Sequence, residues 1–449
     1  VRGGMLPSSE QHLTQWNSLL QSERTSECIL PLFHARDATL LPNASRIVLR
    51  GCAPEKRNVR KTWASMATLV DGKLRIDTTN VCVAGGKYSK LNKGSEVDGF
   101  RTVWIPFEGG ETVEKRVKDE FVIVKCHTKT TTVEKVLVQA PPREEPAPPL
   151  DQEVLGSSFV KLPPVLQQSM PFARSNTDAG MAAKRRPMGG RAPNVLLIIL
   201  DAVSNRQLQR SLPLTWKWLQ SVGKGGTHRS FHFPRHHALH AQYAGNIASL
   251  FSGMSTTDLI TALRNEAKSK GESPIEWLWD VYRKHGYNVV MNENGCATNR
   301  VSLFKAARIG GTAGFKDGGW SRSIDDAGLQ SLACHFAQEN PTLIQFKNAP
   351  MEMCIHGQYF HSFFLKHMQL YMGRHAPKRP TFYTLQLNEG RDPSMKRLYS
   401  MDKDLRDALR QTLQTHPDTV LVLMSPQGLA SGKYFETTES GHYEHSLPF

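Results

Sequence analysis

Apolar and polar positions divide the chain into two patterns. Residues 1–142 alternate short apolar runs with polar breaks. Arg46–Leu49, Ala67–Val70, Thr102–Ile105 and Phe121–Val124 are predicted strands, separated by Gly, Asn and Asp as turns require. They predict a small β-rich N-terminal domain. Residues 143–192 break this pattern. The run Pro141-Pro142-Arg143-Glu144-Glu145-Pro146 leads in and the basic cluster Lys184-Arg185-Arg186 lies near the end, so a solvated linker is predicted. From 193 to 449 strand and helix patterns alternate. Asn194–Leu200 is a continuous apolar run ending at Asp201, the pattern of a strand buried on both faces. Tyr287–Met291, Thr381–Leu387 and Thr419–Met424 repeat it. Helices are predicted over Arg206–Gln220, Ala244–Phe251, Pro274–His285, Asp325–Gln338 and Asp402–Gln414, with a short strand over Ser230–Phe233. This order predicts a doubly wound α/β domain with a mostly parallel sheet.

In open α/β sheets ligands bind outside the carboxyl ends of the strands. Four predicted strands here end in polar groups: Asp201, Glu293 with Asn294, Asn388 with Glu389, and Pro426 with Gln427. One such Asp is a common turn former; four convergent ends predict a cleft. Between Asp201 and Asp258 there is no carboxylate, while six Lys/Arg and five His fall there. That suits either an anionic ligand near the first strand and the helix after it or a locally basic surface. The histidines match no standard zinc spacing.

Net charge is +15, shared as +8 in residues 1–200 and +7 in 201–449. A nucleic-acid-binding arm would concentrate it, so no nucleic-acid partner is expected. A hydrophobic fraction of 39% excludes a wholly disordered or fibrous chain. No run of eighteen apolar residues predicts a transmembrane helix. The sequence opens on Val1, which leaves a signal peptide or membrane anchor to a missing N-terminal part. Of seven cysteines, Cys28, Cys52, Cys82 and Cys126 fall in the β-rich region, without C-x-x-C spacing. They suit two disulfides in any of three pairings. Cys296, Cys334 and Cys354 come late, and their odd number has no explanation in the sequence. With the sequon Asn43-Ala44-Ser45, the cysteines predict an extracellular or secretory-lumen glycoprotein.

Several motifs occur in a telling order. Pro193 through Ser204, then Arg210, Pro213 and Thr215, resembles the opening of a sulfatase-like family of unknown function, expanded in nematodes, within the alkaline phosphatase superfamily. Asn246 through Gly253, Lys284 through Glu293, Leu421 through Gly428, and Gly441, Glu444, Leu447 and Pro448 resemble later segments of that family. Cys28-Ile29-Leu30-Pro31 resembles its N-terminal region. The resemblance implies a fold of alkaline phosphatase/sulfatase type. It also implies one or two divalent metals (zinc, calcium or magnesium) held by Asp and His. A Ser, Thr or modified Cys at a helix N-terminus would then attack a phosphate or sulfate ester.

The positions that carry this chemistry depart from the pattern. Asp201 matches the first metal ligand. The nucleophile position falls on Tyr243, before Asn246. The Asp-His pair falls on Pro426-Gln427, and a Gln amide replaces imidazole poorly. The His after the Thr381–Leu387 strand is replaced by Asn388 or Glu389. Asp402 matches a nearby ligand Asp. Cys52-Ala53-Pro54-Glu55-Lys56 looks like a sulfatase motif but lacks its Ser and Arg, and Cys52 reads as a disulfide cysteine. The chain stops at Phe449, where family members continue, so a truncated C-terminal end is expected.

Three functions follow. The first is a degenerate member binding a phosphorylated or sulfated ligand in a cleft lined by Asp201, Ser204, Tyr243, Asn246 and Glu293. The second is an active metal-dependent ester hydrolase with rebuilt ligands, drawn from Asp201, Glu293, Glu389, Asp402, His442 and His445, with Tyr243 as nucleophile. The third is an extracellular interaction protein.

Overall fold

Antiparallel strands come first in the computed structural model, which describes residues 51–52, 65–92, 101–128, 132–140, 192–222, 228–233, 236–240, 243–266, 275–295, 332–333, 335–336, 353–393, 397–429 and 439–449. Strands β1 (Ala67–Val70), β2 (Lys73–Ile76), β3 (Gly86–Asn92), β4 (Arg101–Phe107), β5 (Val113–Arg116), β6 (Phe121–His127) and β7 (Thr132–Val138) form two sheets. Their orders are β1-β2-β5 and β4-β3-β6-β7. Alternation along β6 shows the packing. Val122 and Val124 join a core with β1, β2 and the Cys82–Cys126 disulfide, while Phe121 and Ile123 face the α/β part.

The second part starts at β8 (Asn194–Leu200). Helices α1 (Asn205–Ser211), α2 (Pro213–Val222), α3 (Tyr243–Ser252), α4 (Thr256–Glu266) and α5 (Leu278–Lys284) lead to β9 (Asn288–Glu293). A two-strand hairpin, β10 (Cys354–Ile355) and β11 (Gln358–Tyr359), feeds α6 (Phe360–His375), then β12 (Thr381–Leu387). A 3-10 turn (Glu389–Arg391), α7 (Arg397–Thr415), β13 (Thr419–Met424) and α8 (Glu439–Ser446) complete the order. The sheet runs β13-β8-β12-β9, parallel throughout. Leu196, Ile198 and Leu385 pack with α6 and α7 on one face; Leu197, Ile199 and Phe382 pack with α3 and α5 on the other. Both faces of β8, β12 and β9 are buried, which is why these strands lack a polar alternation; β13, expected to be buried in the same way, is at the sheet edge and exposes Val420 and Val422.

Several expectations are corrected. The single helix over Arg206–Gln220 is two, because Pro213 has no N–H to continue α1 and instead opens α2. Ser230–Phe233 forms no strand; Phe231 and Phe233 are exposed. The helix over Pro274–His285 begins only at Leu278, and that over Asp402–Gln414 begins earlier, at Arg397. Helix α6 was not foreseen: ten of its sixteen residues are buried, so it lacks the polar face that periodicity reads. Cys52 pairs not with another early cysteine but with Cys354. That bond accounts for one late cysteine. Arg46–Leu49, Asn43, Cys28, Cys296, Cys334 and most of Asp325–Gln338 lie outside the described residues.

Residues on either side of 143–192 share one hydrophobic cluster. Phe121, Ile123 and Val138 pack with Phe360, Phe363 and Leu196. All the described residues fall within one unit, Ala35–Phe449.

Candidate functional site

The carboxyl ends of β8, β12, β9 and β13 meet at one edge of the parallel sheet. Asp201 follows β8 and is fully buried. Next to it Ala202 takes φ 61, a left-handed conformation that non-glycine residues adopt at a cost of roughly 1–3 kcal/mol. Against this backbone lies Gly390: a Cβ there would stand 2.2 Å from the Asp201 carbonyl oxygen. The glycine therefore permits the close approach that sets Arg391 beside Asp201, where Nε pairs with the Asp201 carboxylate. The guanidinium carbon also sits 4.8 Å from the Tyr243 ring centroid, a cation–π contact. Burial pushes the Asp201 carboxyl up to about 6; Arg391 pulls the other way, and Glu293 adds to the rise.

A network of amides ties the next strand ends together. Gln386 Nε2 donates to Glu293 Oε1 and to Asn388 Oδ1, both at 3.1 Å. Asn388 Nδ2 donates to Glu293 Oε1 at 3.1 Å, and Asn388 N–H donates to Asn294 Oδ1 at 2.8 Å. Asn294 Nδ2 donates to Glu389 Oε1 at 2.7 Å. Glu389 lies 3.6 Å from His361 Nδ1, and His361 Nε2 lies 3.3 Å from Asp404 on α7. Burial disfavours the imidazolium, but hydrogen bonds to Asp404 and Glu389 outweigh it and raise the His361 pKa. His361 thus lies buried between the Glu389 and Asp404 carboxylates, which favour its protonated form.

The end of β13 is bound differently. Ser425 Oγ donates to the Gln427 carbonyl at 2.7 Å and accepts from Val203 N–H at 3.1 Å. Asn246 Nδ2 donates to Gln427 Oε1 at 3.2 Å and to the His240 carbonyl at 2.7 Å. Asp201, Tyr243 and Glu293 therefore come together at the sheet edge, with Asn388 and Glu389 in the adjoining network. Asn246 and Gln427 meet each other.

Two expected members do not join them. Asp402 accepts from Leu214 N–H and Thr215 N–H at 2.8 Å each, capping the first turn of α2. Ser204 caps α1 by accepting from Gln207 N–H at 3.0 Å, and its Oγ donates to Glu444 Oε2 at 2.7 Å. Glu444 is in turn gripped by Arg210 at 2.7 and 2.6 Å. His445 on α8 uses Nδ1 on the Gly428 carbonyl at 2.9 Å.

The residues do not fit the implied metal. The three expected ligand positions are taken separately: Asp201 by Arg391, Asp402 by α2 and Gln427 by Asn246. Among the described residues no group of three His, Cys, Asp or Glu is arranged to hold a metal ion. Arg391 and His361 were not singled out from sequence. Arg391 lies in a three-residue turn that no periodicity marks. The legible hint is Glu389-Gly390-Arg391, a glycine and a cation directly beyond a buried strand.

The fold and site define an α/β protein with a parallel sheet and a cluster of mostly buried polar side chains at its carboxyl edge. The chain belongs to the family described as protein of unknown function (DUF229), whose model matches residues 88–449. No curated protein matches it. Among solved structures, alkaline phosphatase from the Antarctic bacterium TAB5 aligns with TM-score 0.30 and 11% identity, over 53% of this chain and 80% of that one.

Proposed function

We propose that this protein is a doubly wound, sulfatase/alkaline-phosphatase-like member of its family that binds a phosphorylated or sulfated ligand without hydrolysing it. The observation that carries this reading is the Asp201–Arg391 pair. A carboxylate whose resemblance marks it as a metal ligand is neutralised by a guanidinium instead. A guanidinium has five N–H donors in a fixed fork, suited to phosphate and sulfate oxygens. The Arg391 side chain is 33% exposed. The start of α3 at Tyr243 lies alongside it, and helix N-termini favour anions. The carboxylate-free stretch between Asp201 and Asp258 supports the same sign of ligand.

The disulfides Cys82–Cys126 and Cys52–Cys354 support an extracellular or secretory-lumen location. Among the described residues no helix is long and apolar enough to cross a membrane.

The test is calorimetric titration with inorganic phosphate, sulfate and their 4-nitrophenyl esters. The same esters are assayed for turnover with zinc, magnesium or calcium added. Expected are saturable binding of at least one anion, its loss in Arg391→Gln, and no turnover above buffer. Turnover abolished by Asp201→Asn would overturn the non-catalytic reading. Absence of binding by all four anions would overturn the ligand.

A further inference from the structure

Away from the cleft, a cavity of about 390 Å³ opens where the antiparallel part packs on α6. That volume falls in the range of small-molecule sites, roughly 300–1,000 Å³. It shares no residue with the cleft. Two edge strands form its walls: β1 pairs only with β2, and β7 only with β6, among the described residues. Leu69, Val136, Val138 and Phe363 give it an apolar lining. Two lysines from different elements enter it, Lys135 from β7 and Lys366 from α6. Lys135 is buried, and its Nζ donates to the Ala67 carbonyl on β1 at 2.8 Å.

We propose that this cavity binds a small amphiphilic monoanion, a carboxylate or sulfonate head on an unbranched apolar body. Small-molecule sites are mostly apolar with a few placed polar groups, and this lining has that composition. The sign of the head group follows from the lysines. Burial first, and then the positive charge of Lys366, lower the Lys135 pKa to about 8. The two cations thus repel across the cavity, and an anion between them relieves the repulsion. Gln358, on β11, adds an amide to the lining. The body of the ligand would lie along the β1 and β7 walls, beside Leu69, Val136 and Val138.

Calorimetric titration of the full chain with decanoate, decanol and sodium sulfate tests this. Decanoate is expected to bind at one site per chain, decanol at least tenfold more weakly, and sulfate not at this site. Lys366→Glu, at an exposed position on α6, is expected to weaken decanoate at least tenfold. Lys135→Met should do the same while keeping the side-chain volume. If Lys135→Met lowers the folded fraction, Lys366→Glu carries the test alone. Equal binding of decanoate and decanol would overturn the proposal, as would unchanged decanoate affinity in Lys366→Glu.

Discussion

Two arginine–carboxylate pairs lie near the carboxyl edge of the parallel sheet, and they have opposite characters. Arg210 and Glu444 form a closed pair. Two charge-assisted bonds of 2.7 and 2.6 Å run in parallel, Ser204 adds a third at 2.7 Å, and both side chains are buried (2% and 4% exposed). Arg391 and Asp201 form an open pair. The aspartate has no exposure, but one third of the arginine side chain reaches solvent. Burial outweighs the attraction, so the Asp201 carboxyl titrates near 6 rather than 3.8. The chemistry of the partners is the same, but their exposure is not. A pair buried on both sides fixes geometry; here it fastens α8 to α1. A pair whose arginine reaches solvent keeps a guanidinium face that a ligand can meet.

The largest expected effect is on the closed pair. Glu444→Gln leaves Arg210 charged and buried, and should lower unfolding free energy by about 3–5 kcal/mol in urea denaturation. Replacing both partners, Arg210→Met with Glu444→Leu, should recover most of that loss, because no buried charge is then stranded. A single-variant loss below about 1 kcal/mol would show that the pair is not the bolt described.

Asp201→Asn should act in the opposite direction. In the unfolded chain the carboxyl titrates near 3.8 and in the folded protein near 6. Between those values the folded state holds more protons, so stability falls as pH rises. Two units correspond to roughly 3 kcal/mol, fully expressed above pH 6. The Asn variant lacks this term. Its stability relative to the parent should match near pH 3.5 and rise by up to about 3 kcal/mol by pH 7. Parallel curves for the two proteins would show that Asp201 is not destabilised by burial.

Much of this was legible in the residues, and the failures have physical causes. Asn194–Leu200 and Thr381–Leu387 appeared at their observed bounds because strands buried on both faces leave continuous apolar runs. Asp201, Glu293 and Asn388 were found because polar groups after such runs must sit at the sheet edge. Asp402 was misplaced because sequence shows a carboxylate but not what it caps; its partners, Leu214 and Thr215, lie nearly 190 residues earlier. The Cys52–Cys354 bond was hidden for the same reason, since its halves are 302 residues apart. Arg391 was missed because its position depends on Gly390 touching the Asp201 backbone, a contact between two separate strand ends. Helix α6 escaped because its histidines His361, His367 and His375 are buried, though their residue type reads as polar.

The smallest stability effect should come from breaking the open pair on its exposed side. Arg391→Gln removes the one charge that opposes the burial of Asp201. The carboxyl pKa then rises further, so the cost depends on whether Asp201 is ionised in the parent. At pH 5 Asp201 is mostly protonated and Arg391 keeps the attraction of Glu293 but not that of Asp201, so the variant should lose less than at neutral pH. At pH 7.5 Asp201 is ionised, and the loss should be about 1–2 kcal/mol, kept small by the solvent around the guanidinium. Stability thus discriminates weakly, but the pH dependence is distinctive, because Arg391 offsets the burial of the Asp201 charge only above the folded Asp201 pKa. Urea denaturation of parent and variant at both pH values reads the difference directly. Anion affinity should move much more than stability, falling at least tenfold at pH 7.5. A variant that loses stability equally at both pH values and keeps its anion affinity would make this pair a second bolt, like Arg210–Glu444, and would remove the reason for reading the cleft as a binding site.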